Sequence, residues 1–472
     1  QDLYLERFKP DDPMQVQTPG GWERVAGVSE DIRVKGAKSE NLVVRVSRHG
    51  PMISDAGGAA GEVAGNDGNA PYGIAMRWTA LDADADPVAA GLAMVRARSA
   101  AEFVDAATRL WVAPMQNMVV ADRQGQIAVV SPGRVPLRQA DNDLKGLVPA
   151  PGWEARYDWA GFIPAAQTPR ETQPPRGWIA TANHRIHGSD YPYHLTSEWA
   201  PPYRQQRIEQ LLRSRARHSI GDMAAMQADV LSLATQRLLP WLQRARSEHA
   251  LADAAQAALK NFNGEMKADA SAPLMFSAWS RQFVRAVFID ELGGPAVYER
   301  VLGARSFRDA LEGVLERNDA WWCDDKTTTD KAETCEQMSN VALTRALDEL
   351  QQRFGADMSA WRWGDAHVAR SEHRPFSRVK VLAPLFEVRV PSGGDSYTVN
   401  VGRVGVKPDA TTGELYLNDH APSLRAIYDL GDLSQSRVMH STGQSGLPWL
   451  RHYRSFAAGW ARVDYVRLWN PP

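Results

Sequence analysis

The chain has 472 residues, 44% of them apolar and 23% charged, close to the averages of folded globular proteins, which excludes wholesale disorder and fibrous repeats. Its 54 Lys and Arg residues nearly balance 56 Asp and Glu, a net charge of -2, so no whole-molecule field draws it to nucleic acid or an anionic bilayer. No uninterrupted apolar run approaches the ~18 residues of an ordinary membrane-spanning helix.

In chain order, Leu3, Leu5 and Phe8 alternate with charged neighbours, and the first residues read as a strand. They carry no Met start and no basic or apolar region of a signal peptide, so further polypeptide is expected upstream. Apolar positions alternate from Ile32 to Val46, and a short run spans Tyr72 to Trp78. Gly57-Gly-Ala-Ala-Gly between them reads as a loop; it lacks both G-x-G-x-x-G and a Walker lysine, which argues against a nucleotide site. Asn117-Met-Val-Val-Ala-Asp-Arg-Gln-Gly-Gln-Ile-Ala-Val-Val reads as two strands joined by a polar glycine turn. A short apolar strand from Ile179 then ends at Asn183, whose amide N–H₂ suits either a turn cap or, without any change of charge, donation to an oxyanion. His184, His187 and His194 follow, but Gly188 and Pro192 interrupt any helix that would align them, so they read as loop histidines rather than metal ligands. Arg204 opens a helix behind Pro201-Pro202, a place that suits an ordinary surface or ion-pair arginine as well as a functional one.

From about 204 to 355 the apolar period becomes helical, in Arg207–Leu212, Trp241–Phe262, Ser277–Leu292, Ser306–Arg317 and Gln337–Phe354. The chain's two cysteines, Cys323 and Cys335, enclose a polar, helix-breaking segment, too few for a zinc site and too far apart for a CxxC motif. Paired, they would staple that loop, stabilising it by roughly 3 kcal/mol, and would imply an oxidising compartment; two free thiols are the alternative. After 375 strands are expected again at Val379–Ala383, Phe386–Val390, Ser396–Val401 and Leu415–Leu417. Gly443-Gln-Ser445-Gly446 misses the last glycine of a nucleophile elbow, since Leu447 stands there, and reads as a glycine turn. The chain thus divides into a strand-rich part, 1–203, a mainly helical part, 204–375, and C-terminal strands, 376–472, returning to the core of one α+β body.

Seven segments in order resemble the penicillin amidase (penicillin acylase) family of N-terminal-nucleophile hydrolases, which includes acyl-homoserine-lactone acylases: Asp2-Leu-Tyr-Leu-Glu-Arg, His49-Gly-Pro-Met-Ile, Met76-Arg-Trp-Thr-Ala-Leu, Asn117-Met-Val-Val-Ala-Asp with Gly125-Gln-Ile, Ile179-Ala-Thr-Ala-Asn183 with Tyr191-Pro, Ser396-Tyr-Thr-Val-Asn, and Gly443-Gln-Ser-Gly with His452-Tyr. The resemblance implies a four-layer αββα sandwich with a helical insertion, in an exported precursor, periplasmic or secreted, that cuts itself into an α chain and a β chain. It implies an amide hydrolase whose new β-chain N-terminus, a Ser, attacks with its own α-amine as base, since a hydroxyl alone is a poor nucleophile at neutral pH. Asn183 then matches the side-chain oxyanion donor and Arg204 the arginine that orients the network. Gln1 has neither hydroxyl nor thiol, so the nucleophile is expected on the N-terminal β segment, which with the α chain would be this chain's partner. Asp2 matches one ligand of the family's structural Ca²⁺, with the main-chain oxygen of residue 1 beside it and Glu198 the nearest carboxylate to a later ligand. Met118 stands where penicillin-G-type enzymes carry a pocket Trp, leaving more room for a linear acyl chain. The small N-acyl substrate is expected among acyl-homoserine lactones and β-lactams, with no organic cofactor and no nucleic-acid partner. The alternative is a silent family member that serves as a binding or structural subunit.

Overall fold

The structure is a computed structural model that describes residues 1–65, 71–303 and 306–468. It divides into two units, Gln1–Trp199 and Ala200–Pro472.

The first unit is built from short strands. They are β1 (Asp2–Lys9), β2 (Asp12–Thr18), β3 (Gly21–Arg24), β4 (Ala26–Ile32), β5 (Glu40–Ser47), β6 (Gly50–Pro51), β7 (Tyr72–Arg77), β8 (Met118–Ala121), β9 (Ile127–Val130), β10 (Pro136–Arg138), β11 (Ala150–Pro151), β12 (Trp159–Phe162) and β13 (Arg170–Thr172). Three helices interrupt them: α1 (Gly58–Ala64), α2 (Pro87–Arg96) and α3 (Ala100–Leu110). The first strand is the centre of the main sheet: β7 pairs with it antiparallel and β11 parallel, while β2 and β3 follow as a meander. Its burial alternates strictly, with Asp2, Tyr4, Glu6 and Phe8 inside, so two of four inward positions are carboxylates. Glu6 accepts from the Ser47 hydroxyl (2.6 Å) and lies 2.8 Å from His49 Nδ1, whose Nε2 is 3.0 Å from Asp158. The Tyr4 ring stacks on His49 at 3.7 Å between centroids. The stretch Ile32–Val46 is not one strand but the end of β4, a turn over 33–39 and most of β5, and part of the glycine-rich segment after Gly57 is the short helix α1 rather than a loop.

The second unit is mostly helical: α4 (Tyr203–Arg213), α5 (Ile220–Gln227), α6 (Leu233–Arg244), α7 (Ala252–Leu259), α8 (Ala272–Phe288), α9 (Pro295–Val301), α10 (Ser306–Arg317), α11 (Ala320–Cys323), α12 (Cys335–Phe354) and α13 (Trp363–Ala366). Then come β14 (Val368–Ser371), α14 (Ala383–Phe386), β15 (Val388–Pro391), β16 (Leu424–Ile427), β17 (Arg437–His440), α15 (Ala457–Ala461) and β18 (Val466–Arg467). The long helices α8 and α12 pack on one another around Trp279 and Phe283, extending one apolar core from Leu238 to Tyr416. A Thr334–Gln337 capping box starts α12, satisfying backbone N–H groups that the helix leaves open. Cys323 and Cys335 are joined, closing the loop between α11 and α12.

Four expectations fail here. Leu415–Leu417 is not a strand, since Tyr416 in its middle takes φ +68°, outside the extended region. The helical run from Trp241 breaks after Arg244, because the Ser247 and His249 side chains accept from backbone N–H groups that a continuing helix would use. Val379–Ala383 is a turn leading into α14, with Pro384 in its first turn. Ser396–Val401 is a turn: Asp395 accepts from the Tyr397 N–H, while the Thr398 hydroxyl accepts from the Asp395 N–H. The C-terminal strands pair among themselves, and every described ladder stays within one unit.

Candidate active site

The β8–β9 hairpin forms where sequence chemistry asks for it. Asp122 accepts backbone N–H bonds from Gln124 and Gln126 across the turn, Gly125 takes φ +81°, and the strands align Met118 with Val130. A further bond, from the Ala100 N–H, heads the causes that hold the Asp122 carboxyl below its ordinary range, tying the turn to the start of α3. Met118 and Val120 are half-buried, and Val119 and Ala121 face outward.

Asn117, just before the hairpin, links it to the segment of Asn183. Its carbonyl accepts from the buried Ser131 hydroxyl (2.8 Å), which fixes the amide orientation, and its N–H₂ donates to the Thr181 hydroxyl (3.0 Å). Two residues on, Asn183 has φ +63°, the left-handed region in which asparagine is among the few tolerated side chains. The residues before it are not assigned as a strand; the segment ends in a bend, with Ala182 buried and Asn183 exposed. The structure therefore brings the Met118 hairpin and the Asn183 segment together through Asn117. Sequence reading placed Asn117 on the hairpin and gave it no role; its polar side chain at the mouth of an apolar strand was the available signal.

Arg204 lies in the second unit, half-buried on the first turn of α4. The helix is anchored one turn later by a two-pronged pair: Arg207 Nε and Nη2 meet the two Asp229 oxygens at 3.0 and 2.7 Å. The Asn400 N–H donates to the Asp229 carbonyl (2.9 Å), and Arg425 holds the Asn400 amide oxygen at 2.6 Å while donating to the Trp460 carbonyl. Burial pushes Arg425 down to about 10, and its cation rests over the Trp460 ring at 4.7 Å. Ser445 closes a turn: the N–H groups of Gln444 and Ser445 both reach the His452 carbonyl, and the Ser445 hydroxyl accepts from the Leu447 N–H.

Metal sites get no support from these contacts. Among the described residues no group of three or more His, Cys, Asp or Glu side chains is arranged to hold an ion. The residues around Asp2 do not fit calcium, because its carboxylate is shared between Arg138 (3.0 and 2.6 Å) and the Trp159 indole N–H (2.7 Å). No helix among the described residues is long and apolar enough to cross a membrane.

The chain shares the fold of the thermostable penicillin G acylase of Alcaligenes faecalis, with a TM-score of 0.69 covering 99% of this chain and 82% of that one at 18% identity. Residues 1–471 match the profile of the penicillin amidase family, and the chain belongs to that family. It is 29% identical over 504 residues to an acyl-homoserine lactone acylase, QuiP, of Pseudomonas aeruginosa, and 29% identical over 476 residues to a penicillin acylase 2 proenzyme of Pseudomonas sp.. Each alignment covers 99% of this chain and 57% of the relative, so the chain spans little more than half the length of those proteins.

Proposed function

We propose that this chain is the larger part of the β chain of an amide hydrolase that removes the acyl group from N-acyl substrates, acyl-homoserine lactones or β-lactams. The observation that carries the reading is the family match along residues 1–471, supported by a local one: Asn183 is presented in a left-handed bend next to the hairpin that bears Met118. The nucleophile is the N-terminal Ser of a segment outside this chain, and its α-amine takes the hydroxyl proton as the Ser oxygen attacks the substrate carbonyl. The Asn183 amide holds the resulting oxyanion, since a fixed neutral donor stabilises charge that develops only at the transition state. Collapse expels the amine, which takes the proton back from the α-ammonium, and leaves an ester on the Ser, which water hydrolyses with the same α-amine as base. By the family pattern Arg204 orients the nucleophile, and Met118 lines the acyl pocket. The α chain and front β segment complete the protein in the periplasm or outside the cell, where the Cys323–Cys335 bond would persist.

Asn183→Ala tests the reading in the assembled protein. It should lower kcat by roughly 10²–10³, about 3–4 kcal/mol, with little change in KM and a small fall in Tm, because alanine is less tolerated than asparagine at φ +63°. Wild-type turnover of an N-acyl substrate by that variant would remove Asn183 from the mechanism. Absence of hydrolysis by the assembled wild type, with an N-terminal Ser confirmed by sequencing, would favour the silent-subunit alternative.

A further inference from the structure

The family resemblance puts a structural calcium ion at Asp2, yet the chemistry around that carboxylate belongs to an anion already neutralised. We infer that Arg138 occupies the role of the divalent cation, and that the Asp2 cluster is a metal-free clasp joining β1, β10 and β12.

Four observations converge on it. The first is geometry: Asp2 and Arg138, 5% and 9% exposed at their side chains, form a two-pronged ion pair, and the Trp159 N–H adds a third bond to the same carboxylate. Paired oxygens held this way have little lone-pair capacity left for a cation. The second is space. Gly146 has φ +80°, and a Cβ built there would sit 2.3 Å from Asp2 Oδ1 and 2.9 Å from Arg138 Nη2. The backbone is therefore closed down on the ion pair, whereas Ca²⁺ asks for six to eight oxygens around it.

The third is charge. Arg77, paired across from Asp2 on β7, lies over the Trp159 ring at 5.1 Å. A divalent ion at Asp2 would sit among cations. The fourth is the balance of donors and acceptors: Arg138 Nη1 is buried with no partner among the described residues, so the cluster has donors to spare rather than oxygens. A cation site needs the reverse. The clasp does not depend on which substrate the protein takes.

Calcium itself is the probe, on the fully assembled protein. After dialysis into calcium-depleted buffer, elemental analysis should find no stoichiometric calcium, and Tm should be the same in millimolar calcium chloride and in excess EDTA. An ion resident well above its dissociation constant would separate those two values by about 5 °C or more. Arg138→Met should lower Tm by about 6 °C or more, equally in both buffers, because Asp2 is left charged and unpaired. One calcium per chain that disappears in Asp2→Asn would overturn the clasp; calcium retained in full by Asp2→Asn is bound elsewhere and supports it. Should Asp2→Asn fail to fold, the wild type decides: a Tm lower in excess EDTA than in calcium by about 5 °C or more, with one calcium per chain, overturns the inference, and equal values support it.

Discussion

The two units of the chain hold themselves together with different chemistry. The second rests mainly on one large apolar core, in which Trp279, Trp361 and Trp363 are at most 1% exposed, with a smaller cluster at Met439 and Trp460 and a few buried ionisable groups such as Asp395 and Arg425. The first has only small apolar clusters, Phe8 with Val16, Val25 and Met52 in one, Tyr4 with Ala150 and Tyr157 in another. Beside these it buries charge, in the Asp2–Arg138 pair and in the Glu6–His49–Asp158 chain. An apolar core tolerates repacking, whereas a buried charge tolerates only its partner. The first unit should therefore be fixed more rigidly in strand register and be less forgiving of polar substitution. Its position suits that property, since it carries the Asn183 segment and the hairpin.

The largest effect should come from the apolar side. Trp279 packs against Phe276 and Phe283 and donates its indole N–H toward Ser339 on α12. Trp279→Ala should destabilise the protein by about 3–5 kcal/mol, through lost burial and the cavity left behind. On the charged side, Glu6→Ala should cost about 3 kcal/mol, because it strands His49 and the Ser47 hydroxyl in a buried site. Glu6→Gln, which keeps an acceptor for Ser47, should cost less. Denaturant unfolding of the three variants ranks them. A cost below about 1 kcal/mol for Glu6→Ala, the range of exposed pairs, would break the contrast between the units.

The units should also part company in acid. His367 in the second unit is fully buried, stacked on Trp363, with its Nδ1 2.7 Å from the Tyr416 carbonyl. Burial pushes it down to about 4. The unfolded chain, with an ordinary histidine near 6.5, binds a proton that the native state refuses between those values. Stability is therefore intact above pH ~6.5 and falls as the pH drops toward ~4, by about 3 kcal/mol in all. In the first unit Asp158, which burial raises but Arg48 and His49 more than offset, ends below its ordinary range. Its contribution is full above the usual carboxylate range and is lost only as the pH falls through the lower native value. His367→Gln should flatten the slope between pH 6.5 and 4 while leaving any loss below pH 4 in place. An unchanged slope would assign the acid sensitivity to another group.

How much of this could be read in the sequence follows the same division. Periodicity located α8, α10 and α12, because a helix buries a stripe that repeats within a few residues. The hairpin at Asn117 was legible from its polar glycine turn between two apolar runs. The charge clusters were not, since Glu6 meets His49 across 43 positions and Asp2 meets Arg138 across 136. Nothing local marks either pair. The lost strand at Ser396–Val401 shows a subtler limit: Tyr, Thr and Val favour strands, but Asp395 and Thr398 give the backbone a side-chain partner before any ladder forms. The same limit hides Arg138 from a reading of Asp2, because a carboxylate is visible in sequence and its guanidinium partner, 136 positions away, is not.

The smallest effect, and the one that reaches substrate choice, concerns Met118. It is half-buried opposite Val130, on the face of β8 turned away from Val119, and Asn117 beside it reaches the Asn183 segment. If the acyl chain runs along that face, each methylene it buries contributes up to ~0.8 kcal/mol, so kcat/KM should rise by up to about fourfold per carbon until the pocket ends. Met118→Trp fills volume with an indole and should move the optimum to shorter acyl chains, with some loss of stability from crowding beside Val130. The change in stability alone would say only that Met118 is packed, as methionines on strands usually are. The shift in optimum is what distinguishes a pocket wall from an ordinary core position. Profiles of kcat/KM against acyl length for the wild type and Met118→Trp decide the matter: coincident curves would place the acyl chain elsewhere and make Met118 an ordinary packed residue of the strand.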